Sequence, residues 1–169
     1  MSPRRLDRRA FLALAGLAPL AGCAGLAEPP LPWTRLRSID LDVSPLADKG
    51  LPHYAEEVAA IGRPLLRQAF ADLLAPGDAK APRATVTIEE IRLAGSPGRN
   101  EGPLGWEDRD RLSGRLLVAP AGAAAVARRL FADRPPSDAG PWYLPDIDRL
   151  RLEGLLRVYV AWARREFSN

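Results

Sequence analysis

Ile39, Leu41 and Val43 alternate with Asp40 and Asp42, a period of two that predicts a strand over 35–43 with one face in solvent. The period then changes. Tyr54, Val58, Ile61, Leu65, Ala69 and Leu73 recur every three or four residues, widened by Leu66 and Phe70, while Glu56, Glu57, Arg63, Arg67 and Asp72 fall opposite. This is the stripe of an amphipathic helix over 52–74, its apolar face directed at a sheet. Pro64 removes one backbone donor, so a kink is expected near Ile61 to Arg63, and Pro76-Gly77 closes the helix. Period two returns over 84–93. Val86 and Ile88 share a face, then Ile91 and Leu93 continue one residue out of phase, which predicts a bulge around Glu89-Glu90. Leu112, Leu116 and Val118 predict a third strand over 110–119.

The Ala-rich stretch 121–132 reads as a short helix, with Val126, Leu130 and Phe131 inward. A Pro-rich irregular segment from Pro135 to Pro145 carries Trp142 and Tyr143. Asp146 then caps a last helix to about Phe167, with Ile147, Leu150, Leu155, Val158 and Trp162 as its apolar face. Trp33 and Trp162 adjoin regular elements and are expected in the core. The order β-α-β-β-α-α, whose first three elements form a βαβ crossover, predicts a small α+β two-layer sandwich. It would have three or so strands and helices on one face.

The first residues follow another pattern. Arg4, Arg5, Arg8 and Arg9 precede an uncharged run from Ala10 to Ala27, and within it Leu20-Ala21-Gly22 leads to Cys23, the one cysteine of the chain. A positive start, an apolar middle and small residues at the cut are the parts of an export signal. Leu20 to Cys23 resembles the lipobox of bacterial lipoproteins. Arg8-Arg9-Ala10-Phe11-Leu12 is similar to the twin-arginine signal that exports folded proteins, with Asp7 and Ala13 in place of the usual residues. The resemblance, limited to residues 4–24, implies removal of 1–22 and lipidation of Cys23 by a diacylglyceryl group and an N-acyl chain, which make the anchoring stable. Leu20, Ala21 and Gly22 would be read by the processing enzymes; Arg8, Arg9, Phe11 and Leu12 would set the export route, with the general secretory route as the alternative. Ala24, where inner-membrane retention signals carry Asp, implies sorting to the outer membrane on its periplasmic face. An uncleaved membrane-spanning helix is the competing reading, weakened by Pro19 and by several Gly and Ala.

That division changes the charge picture. The whole chain has 24 basic and 21 acidic residues. The leader holds four Arg and one Asp, so residues 23–169 carry 20 of each sign and are neutral. The basic balance therefore gives no support to a nucleic-acid partner. Residues 23–34, with Pro29, Pro30 and Pro32, read as a tether, and 35–169 as a single periplasmic domain whose stability comes from packing without a disulfide.

Candidate chemistry is sparse. His53 is the only histidine and sits at a helix entry, so neither a histidine-based triad nor a histidine-rich zinc site is expected. Asp40 and Asp42 read as the wet face of a strand. Glu107, Asp108 and Asp110 read as a solvated turn neutralised by Arg109 and Arg111. Gly95-Ser96-Pro97-Gly98 lacks the Lys-Ser/Thr of a phosphate loop. No metal and no cofactor are expected beyond the acyl chains on Cys23. The long connection 95–109 carries Trp106, and Trp106, Trp142 and Tyr143 are candidate partner-binding residues, since loop aromatics anchor interfaces or fold back on the core edge. The expectation is a lipid-anchored, non-enzymatic accessory or binding module for an envelope transport or assembly system, with an envelope protein as partner. The alternatives are a carboxylate-dependent hydrolase of cell wall or glycan, and a small carrier holding lipid between sheet and helices.

Overall fold

The computed structural model describes residues 29–94 and 109–167. Their elements are β1 (Ser38–Asp42), α1 (Ser44–Asp48), α2 (Pro52–Ala69), β2 (Arg83–Arg92), β3 (Asp110–Ala119), β4 (Val126–Arg134), a single 3-10 turn (Pro136–Ala139) and α3 (Ile147–Arg165). The strands form a 4-stranded open sheet in the order β1-β2-β3-β4. β1 and β2 are parallel, joined through α1 and α2, and the two following pairs are antiparallel. Helices lie on one face, α2 beside β1 and α3 across β3 and β4, with α2 and α3 against each other. This is the α+β two-layer sandwich that the periodicity implied.

Alternation dictates the core. Ile39, Ala84, Val118 and Val126 align across the sheet, as do Leu41, Val86 and Leu116 in the next row, and these side chains face the helices. The phase slip in β2 is a β-bulge between Ile88 and Glu90, which returns Ile91 to the core side opposite Leu112. Leu36, Leu66, Phe70, Leu112, Leu116, Leu155, Leu156 and Tyr159 are fully buried between the layers, each worth about 1.5–3 kcal/mol of transfer free energy for its apolar surface. Two glycines let the layers close. A Cβ on Gly62 of α2 would stand 2.6 Å from Leu41 Cδ2, and one on Gly114 of β3 would overlap the Thr87 carbonyl and the Tyr159 hydroxyl.

Three readings are corrected. The stretch 121–132 is not a helix: Val126–Arg134 is β4, a fourth strand where three or so were expected, so the order is β-α-α-β-β-β-α. Val126, Arg128, Leu130 and Ala132 alternate at period two, and pairing with β3 satisfies the backbone more completely than an isolated Ala-rich helix would. Gly122, at φ 75, turns the connection between the strands, and Phe131 points out to solvent rather than inward. The apolar face of α3 is also rotated. Leu152, Leu155, Leu156, Tyr159, Val160 and Ala163 are buried, whereas Leu150 is exposed and Trp162, expected in the core, is 43% exposed beneath Arg165. Trp33 packs against the core. Third, α2 ends at Ala69 rather than at 74, with Pro64 inside it. Pro64 and Ala60 both lie on its exposed side, so the carbonyl that lacks a donor faces water.

Candidate functional site

Arg8, Arg9, Phe11, Leu12, Leu20, Ala21, Gly22, Cys23 and Trp106 lie outside the described residues. The ends of the connection that carries Trp106 do not. Ala94 follows β2 and Asp110 opens β3, and both are buried against α3. Asp110 is 1% exposed. Its carboxylate accepts from the Ala94 N–H at 2.8 Å, from Arg151 Nε at 2.9 Å, and from Arg151 Nη2. Arg151 Nη2 also donates to the Ala94 carbonyl at 2.8 Å, and Nη1 reaches Asp148 at 2.8 Å in the first turn of α3. One guanidinium thus ties both ends of the 95–108 segment to one helix. The bidentate fork suits this task because it fixes angle as well as distance. The hydrogen bonds from Arg151 to Asp110 raise its pKa, so the cation is permanent.

Tyr54 of α2 belongs to the same end of the domain. Burial, with the negative charges of Glu57 and Asp148 nearby, pushes its phenol up to about 12, so it is neutral at ordinary pH. Arg134, opposite Asp110 in the sheet, continues through the 3-10 turn toward α3 and pairs with Asp138 at 3.5 Å. Between that turn and α3 stand Trp142 and Tyr143. They are 67% and 70% exposed, and their rings meet edge to face at 6.0 Å and 79°. The structure therefore brings the candidate pair Trp142–Tyr143 to the end of the sheet from which the 95–108 segment leaves.

Sequence reasoning missed the clamp and placed Asp110 in a solvated turn. The signal was present in the helical phase. Arg151, Leu155, Tyr159 and Ala163 are spaced by four, so an arginine on the buried stripe of α3 calls for a carboxylate partner. His53 is exposed at the start of α2. Asp42 accepts from the Ser44 hydroxyl at 2.7 Å and from the Ser44 amide at 3.0 Å. The hydroxyl bond leads in holding its carboxyl below the usual range, which makes it a poor proton donor near neutrality. Among the described residues no group of three or more His, Cys, Asp or Glu could hold a metal ion. No helix among them is long and apolar enough to cross a membrane. No protein-family model matches the chain, and no curated protein matches it.

Proposed function

We propose that the chain is a lipoprotein anchored through Cys23, facing the periplasm from the outer membrane, whose domain captures an envelope protein partner as a non-enzymatic accessory of a transport or assembly system. The anchor rests on the Leu20 to Cys23 motif. The observation that carries the binding role is the exposed Trp142–Tyr143 pair, held by turns at the end where Arg151 roots the 95–108 segment. Two adjacent aromatics, more exposed than any other large apolar side chain among the described residues, suit an interface anchor. The clamp supplies a rigid base from which a connection of this length can present further residues, Trp106 among them.

The test has two parts. Intact mass of the membrane-extracted protein, beside a Cys23→Ser variant, is expected to show a chain starting at residue 23 with added acyl mass that the variant lacks. A photo-crosslinking residue at position 143 is then expected to yield a discrete adduct in cells that disappears with Trp142→Ala. A full-length unmodified chain overturns the anchor; absence of a Trp142-dependent adduct overturns the binding role.

A further inference from the structure

β1 is an edge strand. β2 covers one side, and on the other side, among the described residues, only Leu36, just before β1, is paired: it donates to the Leu73 carbonyl and accepts from the Ala75 N–H, both at 2.8 Å. The Arg37 N–H points the opposite way, to the Pro82 carbonyl beside β2, at 2.8 Å. Backbone groups alternate in direction along a strand, so Ser38, Asp40 and Asp42 turn theirs to the free edge. Beside that edge runs a groove of ≈ 330 Å³ lined by Ile39, Asp40, Leu41, Arg63, Leu66 and Arg67. Its floor is apolar. Its wall is the exposed flank of α2, where Arg67 Nε reaches only the Arg63 carbonyl, at 3.5 Å, and neither guanidinium pairs with a carboxylate among the described residues.

We propose that this groove is a strand-addition site for an extended peptide segment of a partner protein, with carboxylates on its α2-facing side. An added strand would exchange backbone hydrogen bonds with Ser38, Asp40 and Asp42, and its alternate side chains would fill the groove. Arg63 and Arg67 are one helical turn apart, about 6 Å along the axis. Residues two apart on a strand are separated by about 6.6 Å. An acid-x-acid segment therefore matches both guanidiniums at once. Its intervening residue would sit on the open sheet face beside Asp40, which favours a basic or neutral side chain there. The same aspartate argues against a second copy of this chain: antiparallel pairing of two β1 strands centred on residue 40 would set two Asp40 carboxylates opposite each other. The site lies at the other edge of the sheet from β4, so it is separate from the Trp142–Tyr143 surface and does not depend on that proposal.

The test uses the full chain in detergent, panned against a phage-displayed library of random ten-residue peptides. Expected is enrichment of sequences with an acid-x-acid core. A selected peptide, added to labelled protein, should shift the amide signals of Ser38, Asp40 and Asp42 and lose at least tenfold in affinity with Arg63→Glu/Arg67→Glu. Asp40→Pro, which removes one outward N–H from an edge position that tolerates proline, should cost a similar factor. No enrichment, or selected peptides that bind both variants as well as the parent, would overturn the proposal. So would a concentration-dependent dimer abolished by Asp40→Pro, since the edge would then serve self-association.

Discussion

Replacing Arg151 by Met keeps most of the side-chain volume and removes the charge that balances Asp110. Among the described residues the Asp110 carboxylate would keep a single donor, the Ala94 N–H, and the Ala94 carbonyl would lose the one it takes from Arg151. Breaking a buried ion pair by removing one partner costs about 3–5 kcal/mol, because the remaining charge is desolvated without compensation. Asp110→Leu should cost less. Arg151 would then retain Asp148 and the Ala94 carbonyl, and Asp148, whose side chain is 72% exposed, brings water with it. In Arg151→Met/Asp110→Leu no buried charge is left and the principal loss is the pairing of Ala94, about 1–3 kcal/mol for each unsatisfied group. The double variant should therefore be more stable than the sum of the single costs by at least ~2 kcal/mol, a coupling typical of groups in one network. Asp148→Ala removes only a solvent-exposed partner and should cost under about 1 kcal/mol.

Urea unfolding followed by circular dichroism reads these values. With a slope of about 1–3 kcal/mol per molar, Arg151→Met should lower the midpoint by at least ~1 M. Amide exchange at Ala94 and Asp110 should accelerate in every clamp variant. If Arg151→Met costs under about 1 kcal/mol, or the single costs simply add, then Arg151, Asp110 and Ala94 are not one unit and the rigid base of the 95–108 segment is refuted.

Gly114→Ala should destabilise by at least ~2 kcal/mol and more than Tyr159→Phe. The added methyl overlaps the Thr87 carbonyl, a backbone atom that cannot turn away, while the phenylalanine loses only the 2.9 Å bond to that carbonyl, about 0.5–1.5 kcal/mol; thermal melts rank the two. Gly62→Ala should cost about 1–3 kcal/mol by pressing on Leu41, and a second change, Leu41→Val, should recover part of it in the same urea assay. Tyr54, with its phenol near 12 against an ordinary 10.0, stays protonated in the fold while the unfolded chain ionises. Its contribution is thus complete below pH 10 and is lost as pH rises toward 12, so Tyr54→Phe should flatten the alkaline fall of stability measured over that range.

What could be read in the sequence follows from how local each signal was. β1 and β3 alternate over their whole length and β2 changes phase once, so the bulge shows itself as a slip at Glu89-Glu90, because register in a half-buried strand is enforced residue by residue. β4 was misread because Ala121 to Ala125 dominates the helical propensity of its window, while the alternation that decides the matter begins only at Val126. α3 was found but turned wrongly. Its buried stripe contains Arg151, Gly154 and Tyr159, residues that a hydrophobicity count passes over, whereas Leu150 and Trp162 attract it. The clamp joins residues 41 apart in sequence, and nothing near Asp110 marks it as different from its neighbour Asp108. Only the helical phase of Arg151 pointed to a buried partner. The β1 groove was equally hidden, since it requires knowing that β1 is an edge and that Arg63 and Arg67 overhang it.

The path of the chain also says which way the Trp142–Tyr143 pair would face if Cys23 is lipidated. Pro29 accepts from Arg128 at 3.4 Å, and the Leu31 N–H donates to the Glu166 carbonyl at 2.7 Å, so the described chain begins at the C-terminal end of α3. The aromatic pair stands before the N-terminal end of that helix. Its 19 residues span about 28 Å at 1.5 Å per residue. From Cys23 to Pro29 the chain reaches at most about 20 Å. A lipid at Cys23 would therefore hold the Glu166 end near the bilayer and direct Trp142 and Tyr143 away from it. That orientation separates two uses of exposed aromatics, contact with a protein and burial at a membrane surface. In lipidated protein on vesicles of brominated phospholipid, a variant whose only tryptophan is Trp33, beside the chain's entry, should be quenched more strongly than one whose only tryptophan is Trp142. Equal quenching would place the aromatic pair at the lipid surface, and the case for it as a protein-binding anchor would fall.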